Sequence, residues 1–257
     1  MPATSPSFDL QGTRALVTGG GSGLGFAIAR ALASAGARVV LNGRNRDKLS
    51  AASASLATDG LDARTAPFDV TDAVAVAEGI AEVERTLGPI DVLVNNAAMN
   101  QRKALEEFAP AEWRALMAAN LDGPFLVTRA LIPGMKARRR GKIINICSLA
   151  SDIGRPNIVP YAVSKGAVRM LTRALAVELA AHSIQVNGIA PGFFKTEMNA
   201  ALIDDPEFSA WVARRTPAGR WGEPAEIAGA AVFLASKAAD YVTGHVLYVD
   251  GGFSASY

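Results

Sequence analysis

Short runs of valine, isoleucine and leucine alternate along this chain with longer Ala-rich stretches whose apolar residues recur at helical spacing. RALVT (14–18), RVVLN (38–42), DVLVN (91–95), KIINIC (142–147), SIQVNGIA (183–190) and HVLYVD (245–250) read as strands, and a weaker one lies in ARTAPFDV, ending near Asp69. Between them GLGFAIARALASAG, DAVAVAEGIAEVERTLG, AEWRALMAANLDGPFLVTRALIPGMKA, YAVSKGAVRMLTRALAVELAA and PAEIAGAAVFLASK read as helices, most of them ending in Gly or basic residues. Strand and helix in alternation is the pattern of βαβ units, so the chain predicts an α/β fold: a doubly wound sheet of seven parallel strands with helices on both faces. No repeat, low-complexity tract or linker divides it, so residues 1–257 read as one domain. The longest stretch without a strand, 191–223, reads as a lid over the site.

Composition narrows the partners. A formal charge of +2, from 26 basic and 24 acidic residues, gives no broad attraction for nucleic acid or an anionic membrane and leaves small molecules. One cysteine, Cys147, cannot close an internal disulfide, and MPATSPSFDL lacks the basic end and apolar core of a signal peptide, so a cytoplasmic setting is expected. No stretch approaches the roughly 18 apolar residues expected of a membrane span. No His, Cys or acid cluster has metal-ligand spacing; His182 reads as a helix-end residue and His245 as structural.

TGGGSGLG (18–25) joins the first strand to the first helix. It fits G-x-x-x-G-x-G on Gly19, Gly23 and Gly25 and not G-x-G-x-x-G. Glycine here lets backbone N–H groups approach a pyrophosphate at a helix N-terminus, which assigns Gly19, Ser22, Gly23, Leu24 and Gly25 to a dinucleotide. A site selective for NAD would carry an acid near the end of the second strand; the sequence there is LNGRN, with Gly43 and Arg44. A guanidinium with no neighbouring carboxylate suits a 2′-phosphate, so NADP is expected, with NAD possible; the alternative for Arg44 is a solvated surface charge.

In PYAVSK, Tyr161 and Lys165 stand four apart on one helix face, and Ser148 lies at the carboxyl end of a central strand, where open α/β sheets bind ligands. A phenol of pKa ~10 is a poor base at pH 7, and a nearby ammonium, with a positive nicotinamide ring, lowers that value. Read alone, the pair is also compatible with an ordinary half-buried Tyr and a surface Lys.

TGGGSGLG, NNAA (95–98), Asn120, Ser148, YAVSK and VNGIAPG (186–192) occur in order in one chain. Over essentially its whole length the sequence resembles the short-chain dehydrogenase/reductase family. The resemblance implies a Rossmann-like sheet, a nicotinamide cofactor and a homotetramer. It implies Tyr161 as proton donor or acceptor, Ser148 on the reacting oxygen, Lys165 on the nicotinamide ribose, and Asn120 supporting a water relay to that lysine. Cofactor contacts carry over to Asp69 and Val70 at the adenine, Asn95 and Ala97 along the ribose, and Pro191, Gly192, Phe193 and Thr196 at the carboxamide end. The sequence departs from the commonest family pattern at Ala98 and Cys147, both small.

The stretch 199–227, with LNGRN and HVLYVDGGFSASY, resembles the branch of that family acting on gluconate and its 5-keto form. That implies a sugar-acid substrate, for which Arg102, or else Lys103, could pair with the carboxylate. The competing expectation is a 3-oxoacyl-carrier-protein reductase, whose acidic partner would favour the basic run Arg138, Arg139, Arg140 and Lys142. That run reads instead as the solvated end of a helix.

Overall fold

The structure, a computed structural model, describes residues 7–256. Seven strands form one sheet: β1 (Arg14–Thr18), β2 (Arg38–Gly43), β3 (Ala63–Pro67), β4 (Val92–Asn95), β5 (Gly141–Ile146), β6 (Ile184–Pro191) and β7 (Val246–Val249). Their order across it is β3-β2-β1-β4-β5-β6-β7, every pair parallel. The order reverses between β1 and β4, and the crevice at that point opens at the carboxyl ends of the strands.

Successive side chains along a strand point to opposite faces, and the sequence uses both. Ala15, Val17, Val39, Leu41, Val92, Val94, Ile144 and Ile146 enter one core; Leu16, Val40, Leu93 and Ile143 enter the other. The first core is closed by α1 (Gly23–Ser34), α2 (Arg46–Thr58) and α9 (Ala228–Ala235). The second is closed by α3 (Ala73–Leu87), α5 (Gly123–Arg138) and α6 (Val159–Leu179). Central strands buried on both faces read as continuous apolar runs, which is why they are visible in the sequence.

Helix α2 is absent from the sequence expectation. Its buried face is only Leu49, Ala52 and Leu56, and the rest is small or polar, so the periodic signal is weak. What starts it is local: the Asn45 side chain accepts a hydrogen bond from the Lys48 N–H at 2.9 Å. Asp72 caps α3 in the same way.

Helix α4 (Pro110–Met117) runs into α5 through a π-helical turn, Ala118–Asp122. Together they make 29 residues, long and apolar enough on length and composition alone to cross a membrane, which corrects the expectation that no such stretch exists. Here Leu116, Val127, Leu131 and Met135 of this helix are fully buried in the protein.

The stretch after β6 makes an excursion closed at its base. Lys195 N–H donates to Gly222 O at 2.9 Å and Gly222 N–H to Phe193 O at 2.8 Å. Between these points lie α7 (Ala200–Ile203) and α8 (Pro206–Arg215), the latter capped by Asp205.

Candidate active site

A cavity of about 820 Å³ occupies the crevice, walled by the turn after β1, the ends of β2 to β6 and the excursion after β6. Hydrogen bonds join its two halves. Thr18 Oγ1 accepts from the N–H groups of Asn96 and Ala97 at 3.0 and 3.1 Å, and Asn96 Nδ2 donates to the carbonyls of Thr18 and Gly19. Close approach demands glycine in the turn. Gly19 has φ +62°, and a Cβ on Gly25 would lie 2.3 Å from Gly19 O.

Gly19, Ser22, Gly23 and Leu24 line the cavity. The Ser22 side chain does not cap α1 and the first turn holds no acid, so the backbone N–H groups there are free for an anion. At the end of β2, Gly43 offers no carboxylate, and the Arg44 side chain is 78% exposed at the cavity rim, 3.6 Å from Asp69. Burial pushes the Asp69 carboxyl up, but hydrogen bonds from Thr71 and the charge of Arg44 outweigh it and hold the carboxyl below its ordinary value. These features fit a phosphate-bearing dinucleotide.

Ser148, Tyr161 and Lys165 meet on the cavity wall beyond β5. Ser148 begins a 3-10 turn: its Oγ accepts from Ala150 N–H at 3.1 Å, and its N–H donates to Ser151 Oγ. Ser151 Oγ in turn donates to Lys165 O at 2.9 Å, fixing the serine turn against α6. Lys165 is 4% exposed and its Nζ donates to Ile146 O at 2.7 Å. Burial without an acid partner lowers its pKa to about 8, although neighbouring Cys147 opposes the shift.

The sequence argument has Lys165 lowering the phenol; in the folded protein burial raises Tyr161, with Ser148 and Arg102 acting against that rise. Burial of the ammonium and the phenol together dominates, because each loses water before it gains a charged partner. Asn120, buried in the π turn, accepts from Met99 N–H at 2.8 Å and donates to Met99 O and Ser164 Oγ. Ser164 Oγ donates to Tyr161 O at 2.7 Å. Asn120 thus ties the β4 loop to α6, and none of these bonds reaches Lys165. A π turn is a frequent device for placing such a side chain.

Asp69, Val70, Ala97, Pro191, Gly192, Phe193 and Thr196 all line the cavity. Two of the expected residues are not on the cavity wall. Asn95 lies inside the protein, donating to Thr128 Oγ1 and Asn145 Oδ1, because alternation along β4 turns it away from the crevice; Asn96 is the residue on the wall. Gly25 is not on the wall either, and serves the packing of α1 against the turn.

Arg102 lines the cavity and donates to Asn199 Oδ1 at 3.0 Å. Lys103 is committed elsewhere, to Glu112 at 2.6 Å. Sequence reasoning missed Arg155, another cavity arginine, and the aromatic cluster of Phe193, Phe208, Trp211, Trp221 and Phe253 beside it. The one available signal was an arginine in the turn between Ser148 and Tyr161.

A family profile described as Enoyl-(Acyl carrier protein) reductase matches residues 19–254. The gluconate 5-dehydrogenase of Gluconobacter oxydans (strain 621H) is 51% identical over 249 residues, 97% of each chain. The 5-keto-D-gluconate 5-reductase of Escherichia coli (strain K12) is 50% identical over 245 residues, 95% of this chain and 96% of that one. Among solved structures, a gluconate 5-dehydrogenase from Burkholderia cenocepacia J2315 in complex with NADP and tartrate superposes with a TM-score of 0.94 at 50% identity, covering 97% of this chain and 98% of that one. Likeness of this extent, in sequence and in fold, is what common descent leaves: the chain belongs to the short-chain dehydrogenase/reductase family.

Proposed function

We propose that this protein is an NADP-dependent oxidoreductase interconverting a secondary alcohol and a ketone of a sugar acid, with D-gluconate and 5-keto-D-gluconate as its pair. The observation that carries the reading is one cavity holding a proton donor, Tyr161 beside Ser148, and guanidinium groups with no carboxylate partner among the described residues. Half identity to enzymes named for that conversion supports the substrate, and NADP bound to the Burkholderia relative supports the cofactor.

The turn Gly19, Ser22, Gly23 and Leu24 would hold the pyrophosphate, Arg44 the 2′-phosphate, Asp69 and Val70 the adenine, and Ala97, Pro191, Gly192, Phe193 and Thr196 the nicotinamide half. When bound, the nicotinamide supplies or takes the hydride. Ser148 Oγ holds the reacting oxygen by a hydrogen bond, and Tyr161 delivers the proton to it in reduction or takes it in oxidation. Burial raises the phenol, so at neutral pH it is protonated, the form that reduction of the ketone needs. Lys165, anchored on Ile146 O, supplies positive charge at the nicotinamide ribose, and Asn120 positions the backbone of α6 through Ser164. Arg102 draws an anionic substrate toward this end of the cavity.

The working form is a cytoplasmic homotetramer. Val163, Met170 and Val177 are exposed two helical turns apart on α6, and Phe125 is exposed on α5; such an apolar stripe is covered in an assembly. The reading is tested by following NADPH and NADH oxidation with 5-ketogluconate, an acetoacetyl thioester and neutral keto sugars. Highest kcat/KM is expected for 5-ketogluconate with NADPH; a preference for the thioester would replace this reading with acyl-carrier reduction.

A further inference from the structure

Arg155 lies in the turn between Ser148 and α6, on the cavity wall. Among the described residues its guanidinium forms no ion pair and no hydrogen bond. It is held by stacking instead: 4.5 Å from the Phe208 ring centroid, 5.7 Å from Trp211 and 5.8 Å from Phe193. Aromatic rings take none of a guanidinium's N–H donors, so these stay available for a two-pronged hold on a carboxylate.

Arg102, on the same cavity, already spends donors on the protein, to Asn199 Oδ1 at 3.0 Å and Met198 O at 3.5 Å. Arg155 is therefore the cation whose fork is free. Two like charges on one cavity wall, with no carboxylate partner among the described residues, repel each other, and an anion between or beside them relieves that repulsion. In 5-ketogluconate four C–C bonds separate the carbonyl carbon from the carboxylate, roughly 5 Å when extended. The charged end thus falls well away from the carbonyl that Tyr161 serves, where a cation with a free fork can meet it.

We infer that Arg155 is a specificity-determining residue that grips the substrate's remote carboxylate through the edge of its guanidinium, while Arg102 lies along the hydroxyl-bearing chain. This rests on the sugar-acid reading above. Aromatic residues of the excursion after β6 preset the arginine, so an acid is selected over a neutral ketose of equal length.

The test compares wild type with Arg155→Gln and Arg155→Lys, using 5-ketogluconate and a neutral six-carbon ketose. In Arg155→Gln the preference for the acid, as a ratio of kcat/KM values, is expected to fall about 10- to 100-fold, carried by KM with kcat for the acid within a few fold. The lysine variant should recover only part, since it restores charge without the fork. An unchanged preference overturns the inference. Gluconate binding to the NADP-loaded protein, read by fluorescence of the adjacent Trp211, separates the two readings. Binding by wild type that is lost in Arg155→Gln supports the inference even if 5-ketogluconate is not turned over, an outcome that would remove only the proposed reaction. Equal gluconate binding by both proteins, or none by wild type, overturns it. Thermal unfolding of each variant checks that the fold is kept.

Discussion

Two sets of basic residues, one at each end of the sheet, sit in opposite conditions. At the amino ends of the strands, Arg138 donates to Ile90 O at 2.9 Å, Arg139 to Ala181 O at 3.0 Å, Arg140 lies 3.7 Å from Asp91, and Lys142 lies 2.6 Å from Asp240. Every member of that run is answered by a carbonyl or a carboxylate of the protein. At the carboxyl ends, Arg102 and Arg155 are far apart in the chain, and among the described residues neither meets a carboxylate. A dense run of positive charge in a sequence is therefore a poor guide to ligand binding, because the fold neutralises it. Two scattered cations that the fold brings to one cavity and leaves without a carboxylate are the better guide.

Substitutions at the carboxyl end should cost chemistry, and substitutions at the amino end only stability. The largest effect is expected for Tyr161→Phe, which keeps the ring and removes the proton donor: a fall in kcat of about 10³-fold with NADPH binding intact, measured by turnover and by cofactor fluorescence. A rate near that of wild type would remove Tyr161 from its role. In wild type, gluconate oxidation needs the phenolate; with the phenol raised above its ordinary value, that rate should climb through the alkaline range without levelling at pH 10, a limb absent from the phenylalanine variant.

Lys165 sharpens the contrast in another observable. Its pKa falls from 10.5 unfolded to about 8 folded, so between those values the unfolded chain binds a proton that the native one does not. Stability from this group is therefore complete above about pH 10.5 and lost as pH falls toward 8, a change of roughly 3 kcal/mol. Urea unfolding without cofactor should show wild type gaining on Lys165→Met by that amount from pH 7.5 to 10.5. A difference that stays flat with pH would mean that the ammonium is not desolvated as the structure has it.

Arg44 comes next. Gly43→Asp with Arg44→Ala places a carboxylate where the 2′-phosphate is proposed to sit and removes its partner. The NADPH over NADH preference in kcat/KM is expected to fall about 10- to 100-fold. An unchanged preference would leave Arg44 as the exposed surface cation that its 78% exposure also permits.

The legible and illegible parts of the molecule divide along physical lines. Strands buried on both faces write continuous apolar runs, so β1, β2 and β4 to β6 could be read with small errors at their ends. Ser148, Tyr161 and Lys165 were legible because turn, helix spacing and strand end are local properties. That Asn96 and not Asn95 lines the crevice is not legible, because neighbouring side chains on a strand point to opposite faces and the motif does not say which asparagine of the pair faces the cavity. Arg155 was missed because what marks it, the rings of Phe193, Phe208 and Trp211, arrives from a different part of the chain. The net direction of the Tyr161 shift was missed because desolvation depends on what the fold packs round the group.

The smallest effect bears most directly on the difference between the two ends. Lys142→Ala removes an ion pair whose lysine is 12% exposed and whose aspartate, Asp240, is 63% exposed, so solvent screens much of the interaction. Unfolding free energy should drop by about 1 kcal/mol or less, read by denaturant titration. If the amino end is purely structural, kcat/KM stays at the wild-type value with 5-ketogluconate and with an acyl thioester presented on an acidic carrier protein. A tenfold loss confined to the carrier-bound thioester would show that the run docks a partner despite its internal bonds. The carrier would then need a path from that docking point, at the amino ends of the strands, to Tyr161 beyond their carboxyl ends. The thioester would have to span the depth of the sheet, and that geometric demand weighs against the docking role.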